Sequence, residues 1–214
     1  MQRTLQPELL DSLPANHPDA LHNRRDLRLT NQVMGSHRWL EQTLPPLLRP
    51  GEVALELGAG TGELGVRLAR RGISVAGLDL WPRPAEWPKQ WPWHREDLRH
   101  FERYGDYAAI VGNLIFHQFS ELELAALGEK LQRSARVIIA SEPQRRRASQ
   151  LLYRAFAPLF GANHVSLHDA HVSIAAGFRG DELPRSLGLT TDRWRIRCHS
   201  TVLGAYRMSA VRTV

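Results

Sequence analysis

From residue 56 to residue 65 the chain reads Glu-Leu-Gly-Ala-Gly-Thr-Gly-Glu-Leu-Gly. Gly58, Gly60 and Gly62, at alternate positions, let a backbone turn sharply and approach a ligand where a Cβ would collide. The stretch from Gly60 to Gly65 also fits the dinucleotide fingerprint G-x-G-x-x-G, so the glycines alone admit two ligand classes. The acids separate them. A dinucleotide sets a pyrophosphate on the helix N-terminus, where nearby carboxylates oppose it. Here Glu56 ends the segment before the turn and Glu63 opens the segment after it.

Carboxylates at those positions suit a cation without phosphate, and S-adenosylmethionine brings a sulfonium and an ammonium. Asp79 follows the next apolar stretch, where a carboxylate can accept both ribose hydroxyls. Asp97 follows a third short stretch, where a side chain can receive an adenine amino group. This cofactor accounts for Glu56, Asp79 and Asp97; a nicotinamide dinucleotide accounts only for Asp79. Each acid has an ordinary role if taken singly, as a turn cap, a strand end or a helix cap at Leu98. Their order, one at each successive strand end, makes the combination specific.

Methyl transfer from a sulfonium needs in-line approach, and a base only where the acceptor must lose a proton. His117 is the expected base, since it follows the fourth strand and can titrate near neutral pH. Its structural alternative is packing beside the cofactor or capping the helix at Ser120. His164, His168, Asp169 and His171 form a second polar group. A histidine pair at i, i+4 could bind a metal if helical, but no second signature supports one, and no metal is expected. His168 and Asp169 are expected to line the acceptor pocket and orient a hydroxyl, with plain surface histidines as the alternative.

The elements that must carry these groups follow from pattern. Val53, Ala54 and Leu55 form a buried strand, and Leu64, Leu68 and Ala69 mark the helix after the turn. Residues 73–78, 108–111 and 137–140 are further strands, and Ser120-Glu121-Leu122-Glu123 opens a helix with a capping box. Strands alternating with such helices imply crossovers and a mostly parallel sheet. Trp194, Ile196 and Cys198 alternate, as do Tyr206, Met208 and Ala210, which predicts a closing antiparallel pair. Before residue 51, Asn16 or Asp19 is expected to cap a helix running to about Met34, with Leu21, Leu27 and Val33 on its apolar face. Ser36 is the expected cap of a second helix, with Leu40, Leu44, Leu47 and Leu48 as its stripe. Residues 81–93 hold four tryptophans and four prolines; packing over the sheet edge is the expected use, a wall beside adenine or an aromatic substrate the alternative.

The stretch from Glu56 to Gly62 resembles the first motif of class I methyltransferases, and the resemblance extends over roughly residues 51–211. It implies an α/β, Rossmann-like fold: a seven-stranded, mostly parallel sheet with its last strand antiparallel, preceded here by an N-terminal helical cap. Residues 1–50 would be that cap and 51–214 the S-adenosylmethionine-binding domain. By position, Gly58, Gly60 and Gly62 would touch the cofactor's amino-acid end, and residues 112–118, Asn113 among them, would face cofactor and substrate. That segment departs from the Asn/Asp-Pro-Pro-Tyr pattern of enzymes that methylate base amino groups. Residues 114–119, 168–183 and 25–31 resemble small bacterial methyltransferases acting on quinone-like or polyketide-derived rings. The expected reaction is thus transfer to a small molecule, on a phenolic or quinol-like oxygen.

Composition narrows the class. Of 28 basic residues only Lys89 and Lys130 are lysines, and the formal charge is +6. The arginines are spread, with one run at Arg145-Arg146-Arg147, whereas nucleic-acid readers gather charge and interleave aromatics. No apolar run reaches membrane-span length, Met1 to Pro14 is polar, and Cys198 is the one cysteine, so a cytoplasmic protein is expected. Two alternatives stay open: an RNA or protein acceptor, and a non-catalytic S-adenosylmethionine binder.

Overall fold

Four consecutive buried residues, Ala54–Leu57, make β1, and their alternation sends Leu55 and Leu57 to one face of the sheet and Ala54 and Glu56 to the other. The computed structural model describes residues 1–14 and 16–213; Ala15, inside the expected cap, and Val214, at the end of the expected domain, lie outside the described residues. Ahead of β1 come α1 (Pro18–Met34) and α2 (Ser36–Thr43). After it follow α3 (Glu63–Ala69), β2 (Val75–Asp79), β3 (Trp93–Arg95), β4 (Ala109–Asn113), α4 (Glu121–Ser134) and β5 (Val137–Pro143). The chain then forms α5 (Arg147–Phe156), α6 (His164–Ala176), α7 (Glu182–Ser186), β6 (Trp194–Ser200) and β7 (Ala205–Arg212).

The sheet order is β3-β2-β1-β4-β5-β7-β6, with β1 to β5 parallel and β7 antiparallel to both neighbours. This is the seven-stranded Rossmann-like arrangement the sequence predicts, including the late alternating pair. All parallel strands thus present their carboxyl ends along one edge, where such sheets bind ligands. The core has two halves. Leu124, Leu127 and Leu131 of α4 cover Leu55, Leu57, Ile110 and Ile138 on one face. Leu40 and Leu44, with Leu64 and Leu68 of α3, cover Val75, Val111 and Ile139 on the other.

The tryptophan-rich stretch packs, as expected. Trp87 is buried between α3 and β2, and a Cβ on Gly65 or Gly77 would overlap its ring or that of Trp93. The capping box at Ser120 and Glu123 is present.

The expected amphipathicity of α1 is inverted. Asn23, Asp26 and Asn31 are buried, whereas Leu21, Leu27 and Val33 are exposed. Its cap is His17, whose Nδ1 accepts from Asp19 N at 3.2 Å, with Pro18 pre-set in the first turn. α1 ends at Gly35 in the left-handed conformation, which also starts α2. Ser36 is therefore inside α2, and its hydroxyl accepts from Ser141 Oγ at 3.0 Å. Among the described residues, no helix is long and apolar enough to cross a membrane.

Gly128 of α4 lies where a Cβ would overlap the Leu187 backbone. Alanine favours a helix by about 1 kcal/mol, but backbone overlap in a packed core outweighs that. Gly128→Ala should lower stability by roughly 1–3 kcal/mol, read as a reduced urea midpoint at unchanged slope.

Candidate functional site

The glycine turn follows β1 directly. Gly58, Gly60 and Gly62 all have positive φ, a backbone path costly for residues with a Cβ, and α3 starts at once after Gly62. Asp79, at the end of β2, closes this loop from the side. Its Oδ2 accepts from Gly60 N at 2.7 Å and its Oδ1 from Trp81 N at 2.8 Å. Burial raises the Asp79 pKa against those two amides. Asp79 is thus the brace between the first two ligand loops, with lone pairs remaining on both oxygens.

Glu56 sits beneath the turn, almost wholly buried, and burial together with the nearby Asp79 charge pushes its pKa up to about 8. Its Oε2 has no hydrogen-bond partner. Two more buried acceptors at this edge are unpartnered: Glu63 Oε2 at the start of α3 and Asn113 Oδ1 at the end of β4. Buried polar atoms in native proteins are nearly always paired, so three orphaned oxygens on neighbouring strand and helix ends mark a place built for a donor. The helices before β1 reach the same edge. Asn31 Oδ1 accepts from Asn113 Nδ2 at 3.0 Å, and His37 Nδ1 lies 3.7 Å from Glu63 Oε1. Burial, despite Glu63, lowers the His37 pKa.

Asp97 is paired within the protein. Arg99 donates to both its oxygens, at 3.1 Å from Nε and 2.7 Å from Nη2, and Arg99 N caps the turn on Oδ1 at 2.9 Å. The Arg99 hydrogen bonds hold its pKa below the usual carboxylate range.

The segment after β4 is organised by a residue that sequence reasoning missed. Glu142, fully buried in β5, accepts from Ile115 N and Phe116 N on Oε1, both at 3.0 Å. Its Oε2 accepts from His117 N at 3.2 Å and from His117 Nδ1 at 2.7 Å. On the other ring nitrogen, His117 Nε2 meets Glu8 Oε1 at 3.3 Å. Burial alone would lower the His117 pKa, but the two carboxylates outweigh it and push it up to about 9. Burial likewise opposes ionisation of Glu8, yet the His117 and Ser173 contacts hold its pKa below the ordinary value. The two carboxylates thus favour the charged form of the His117 ring and hold it from both sides. Both ring nitrogens of the expected base are thus engaged by carboxylates, Nδ1 by Glu142 and Nε2 by Glu8.

Asp169 also differs from expectation. It is buried and accepts from Leu9 N at 2.7 Å, Leu10 N at 3.1 Å and Asn23 Nδ2 at 3.3 Å, which ties the N-terminal segment to α6. These contacts occupy the carboxylate expected to orient a substrate hydroxyl, and His168 beside it is exposed, with its Nδ1 3.1 Å from Asp169 Oδ1. The N-terminal segment instead brings its own groups. Arg3 donates to the carbonyls of His117, Phe119 and Ala176, and Glu8, Asp11, His117, Gln118, Val172 and Ser173 line a cleft of about 290 Å³. Burial, then the charges of Glu8 and Asp169, push the Asp11 pKa up to about 6. Glu142 was legible in principle, as one more acid at a strand end; nothing in the sequence links Glu8 to His117.

No protein-family model and no curated protein sequence matches the chain. Solved structures do. The plantazolicin methyltransferase BpumL, in complex with a monoazolic desmethylPZN analog and SAH, superposes with a TM-score of 0.72 at 10% identity, over 95% of this chain and 92% of that one. Magnesium protoporphyrin IX methyltransferase from Synechocystis, with bound SAH, gives 0.52 at 18% identity, over 86% and 83%. A structure described by conversion of a disulfide bond into a thioacetal group during echinomycin biosynthesis gives 0.57 at 18%, over 83% and 80%. At such identities the likeness is one of fold, the Rossmann-like fold of class I methyltransferases.

The His117 lock has a pH signature. The folded chain keeps a proton to about pH 9 that the unfolded chain releases near 6.5, so the contribution is complete below 6.5 and is lost as pH rises through 9. NMR titration should find His117 protonated at neutral pH. Glu142→Gln should bring its pKa down and cost roughly 3–5 kcal/mol, as removing one partner of a buried pair does. A His117 resonance titrating near 6.5 in the unaltered protein would contradict the lock.

Proposed function

We propose that the protein transfers a methyl group from S-adenosylmethionine to a small-molecule acceptor. One observation carries this: Glu56 Oε2, Glu63 Oε2 and Asn113 Oδ1 are buried and unpartnered around the glycine turn. A set made only of acceptors, two of them carboxylates, suits an ammonium or sulfonium and repels a pyrophosphate. The SAH bound in the fold neighbours BpumL and magnesium protoporphyrin IX methyltransferase supports the same cofactor class.

In this proposal Gly58, Gly60 and Gly62 give the backbone its close approach, and Glu56, Glu63 and Asn113 receive the amino-acid end of the cofactor. Asp79 holds the ribose with the lone pairs its two amide bonds leave over. Asp97, committed to Arg99, is left out. When bound, S-adenosylmethionine supplies an electrophilic methyl group; the chain's own task is to hold it in line with an acceptor and to exclude water. The helices of residues 1–50 act as a cap over this edge, through Asn31 and His37. The acceptor, proposed as a phenolic or quinol-like compound, occupies the cleft beside the segment after β4. Within that cleft we assign the acceptor's proton to Asp11, which lines it beside Glu8 and whose pKa is pushed up to about 6.

Calorimetry should show binding of S-adenosylmethionine or SAH and none of nicotinamide dinucleotides; the opposite preference would sink the proposal. Asp79→Ala should weaken binding by about 1–3 kcal/mol. A cation beside Glu56 must also displace the proton that this residue keeps up to about pH 8, so binding near neutral pH should release a proton. Measured enthalpies should then vary with buffer ionisation heat, and Glu56→Gln should remove that variation.

With a true acceptor in hand, the pH–rate profile should rise near pH 6, and Asp11→Asn should lower turnover by roughly 10²–10⁴-fold and abolish that limb. Unchanged turnover with the limb intact would exclude Asp11 as the base.

A further inference from the structure

On α5 no residue is buried, although the helix is rich in large apolar side chains. Leu151 and Leu152 are 68% and 56% exposed, Phe156 follows on the same helix, and Leu159 and Phe160 continue the surface in the 3-10 turn after it, at 76% and 62%. At helical spacing, Ala148, Leu151, Leu152 and Ala155 form one outward stripe, with Arg147 and Arg154 together along its flank. α1 adjoins this surface. His22 Nε2 lies 2.7 Å from Gly161 O, Arg25 Nη2 donates to Phe160 O at 3.0 Å, and Tyr153 hydrogen-bonds Thr30. The outward side of α1 adds Leu21, Leu29 and Val33 with Arg25 and Arg28. Five large apolar side chains more than half exposed on α5 and the turn after it, with three more exposed on the adjoining α1, exceed the scattered surface leucines of an ordinary soluble domain.

Charge says what covers the surface. Residues 144–168 contain no Asp or Glu, and residues 20–40 contain only Asp26, which is buried. The face is therefore apolar and cationic; the one partly exposed carboxylate of α1, Asp19 in its first turn, is taken up by Asn163 Nδ2 at 3.1 Å. A second copy meeting it by two-fold symmetry would bring arginines against arginines. A nucleic acid would leave the leucines without a partner, since bases stack on aromatic rings and phosphates pair with cations. A bilayer bearing anionic headgroups satisfies both, with apolar side chains at the acyl boundary and arginines at the phosphates.

We infer that α5 and the following 3-10 turn, with the outward side of α1, form a docking surface for an anionic lipid bilayer. The chain lies on such a surface; it does not span it. The inference is independent of the methyl-transfer proposal.

Flotation of the full chain with phosphatidylcholine vesicles, and with vesicles that also contain phosphatidylglycerol, tests it. The chain should float only with the anionic vesicles, and less as salt is raised. Amide exchange over residues 147–160 should slow on those vesicles in the unaltered protein. Leu151→Ser combined with Phe156→Ser should lower partitioning at least tenfold, and Arg147→Gln or Arg154→Gln each by about fivefold. Failure to float, or unchanged exchange over 147–160, overturns the inference. Flotation that survives the serine substitutions also overturns it, since the contact would then be charge alone. So does a sedimenting dimer that the serine substitutions dissociate in the absence of vesicles.

Discussion

The carboxylate of Glu142 is the point on which the ligand edge turns. Buried in β5, it receives three successive backbone amides from the segment leaving β4, and then the His117 ring. Successive amides converge on one carboxylate only if the chain curls tightly, and Leu114 takes up that curl with a φ of 57°. A bulky residue there is strained, and strain of this kind persists only where the surroundings over-determine it. Glu142 supplies that determination. Through His117 the same charge reaches Glu8, and through Glu8 and Arg3 it fixes the N-terminal segment against α6. Two anions with one cation between them are tolerable in a buried place where two anions alone are not. The His117 ring is thus the bridge by which Glu142 and Glu8 hold the N-terminal segment where it lies.

The sheet was legible in the sequence because its signals are local. β1, β2, β4 and β5 each begin as a short apolar run, and Trp194 to Cys198 and Tyr206 to Ala210 alternate as a half-covered antiparallel pair must. The helix before β1 misled for a physical reason. Periodicity reports which residues share a face of a helix, and the usual inference is that the apolar face turns inward. In α1 the polar face turns inward instead. Asp26 accepts from Ser166 Oγ at 2.7 Å, Asn23 donates to Asp169, and Asn31 meets Asn113. Hydrogen bonds at a buried polar interface replace apolar contact, and no single-sequence pattern distinguishes that interface from solvent.

The site divides along the same line. Glu56, Asp79 and the glycines are set by a strand end and the turn that follows it, so spacing alone brings them together. Asp97 was found at its strand end, but Arg99, two residues on, takes its oxygens first. His117 was found as a residue of the ligand edge; its protonation state depends on Glu8 and Glu142, which lie 109 and 25 residues away. Asp169 was visible as an acid, while its partners Leu9 and Leu10 are backbone amides far along the chain. Residue type and spacing report where a side chain emerges, and the pKa that decides its chemistry is set by whatever the fold brings beside it.

A chain with a net charge of +6 carries a ligand edge dominated by acids, and that separation follows from burial. Glu8, Glu56, Asp79 and Glu142 lie at the strand ends or under the N-terminal segment, where the effective dielectric is low and each charge acts strongly on its neighbours. Most of the arginines lie outside, where water and salt attenuate them within about 10 Å. The positive total therefore reaches the edge only weakly, while the few buried acids set the local potential. Glu142 has three amides and an imidazole as internal partners. Glu56 forms no ion pair among the described residues, and burial together with the Asp79 charge pushes its pKa up to about 8. Beneath the turn at Gly58 to Gly62, then, lies a buried carboxyl oxygen without the internal pairing that Glu142 has.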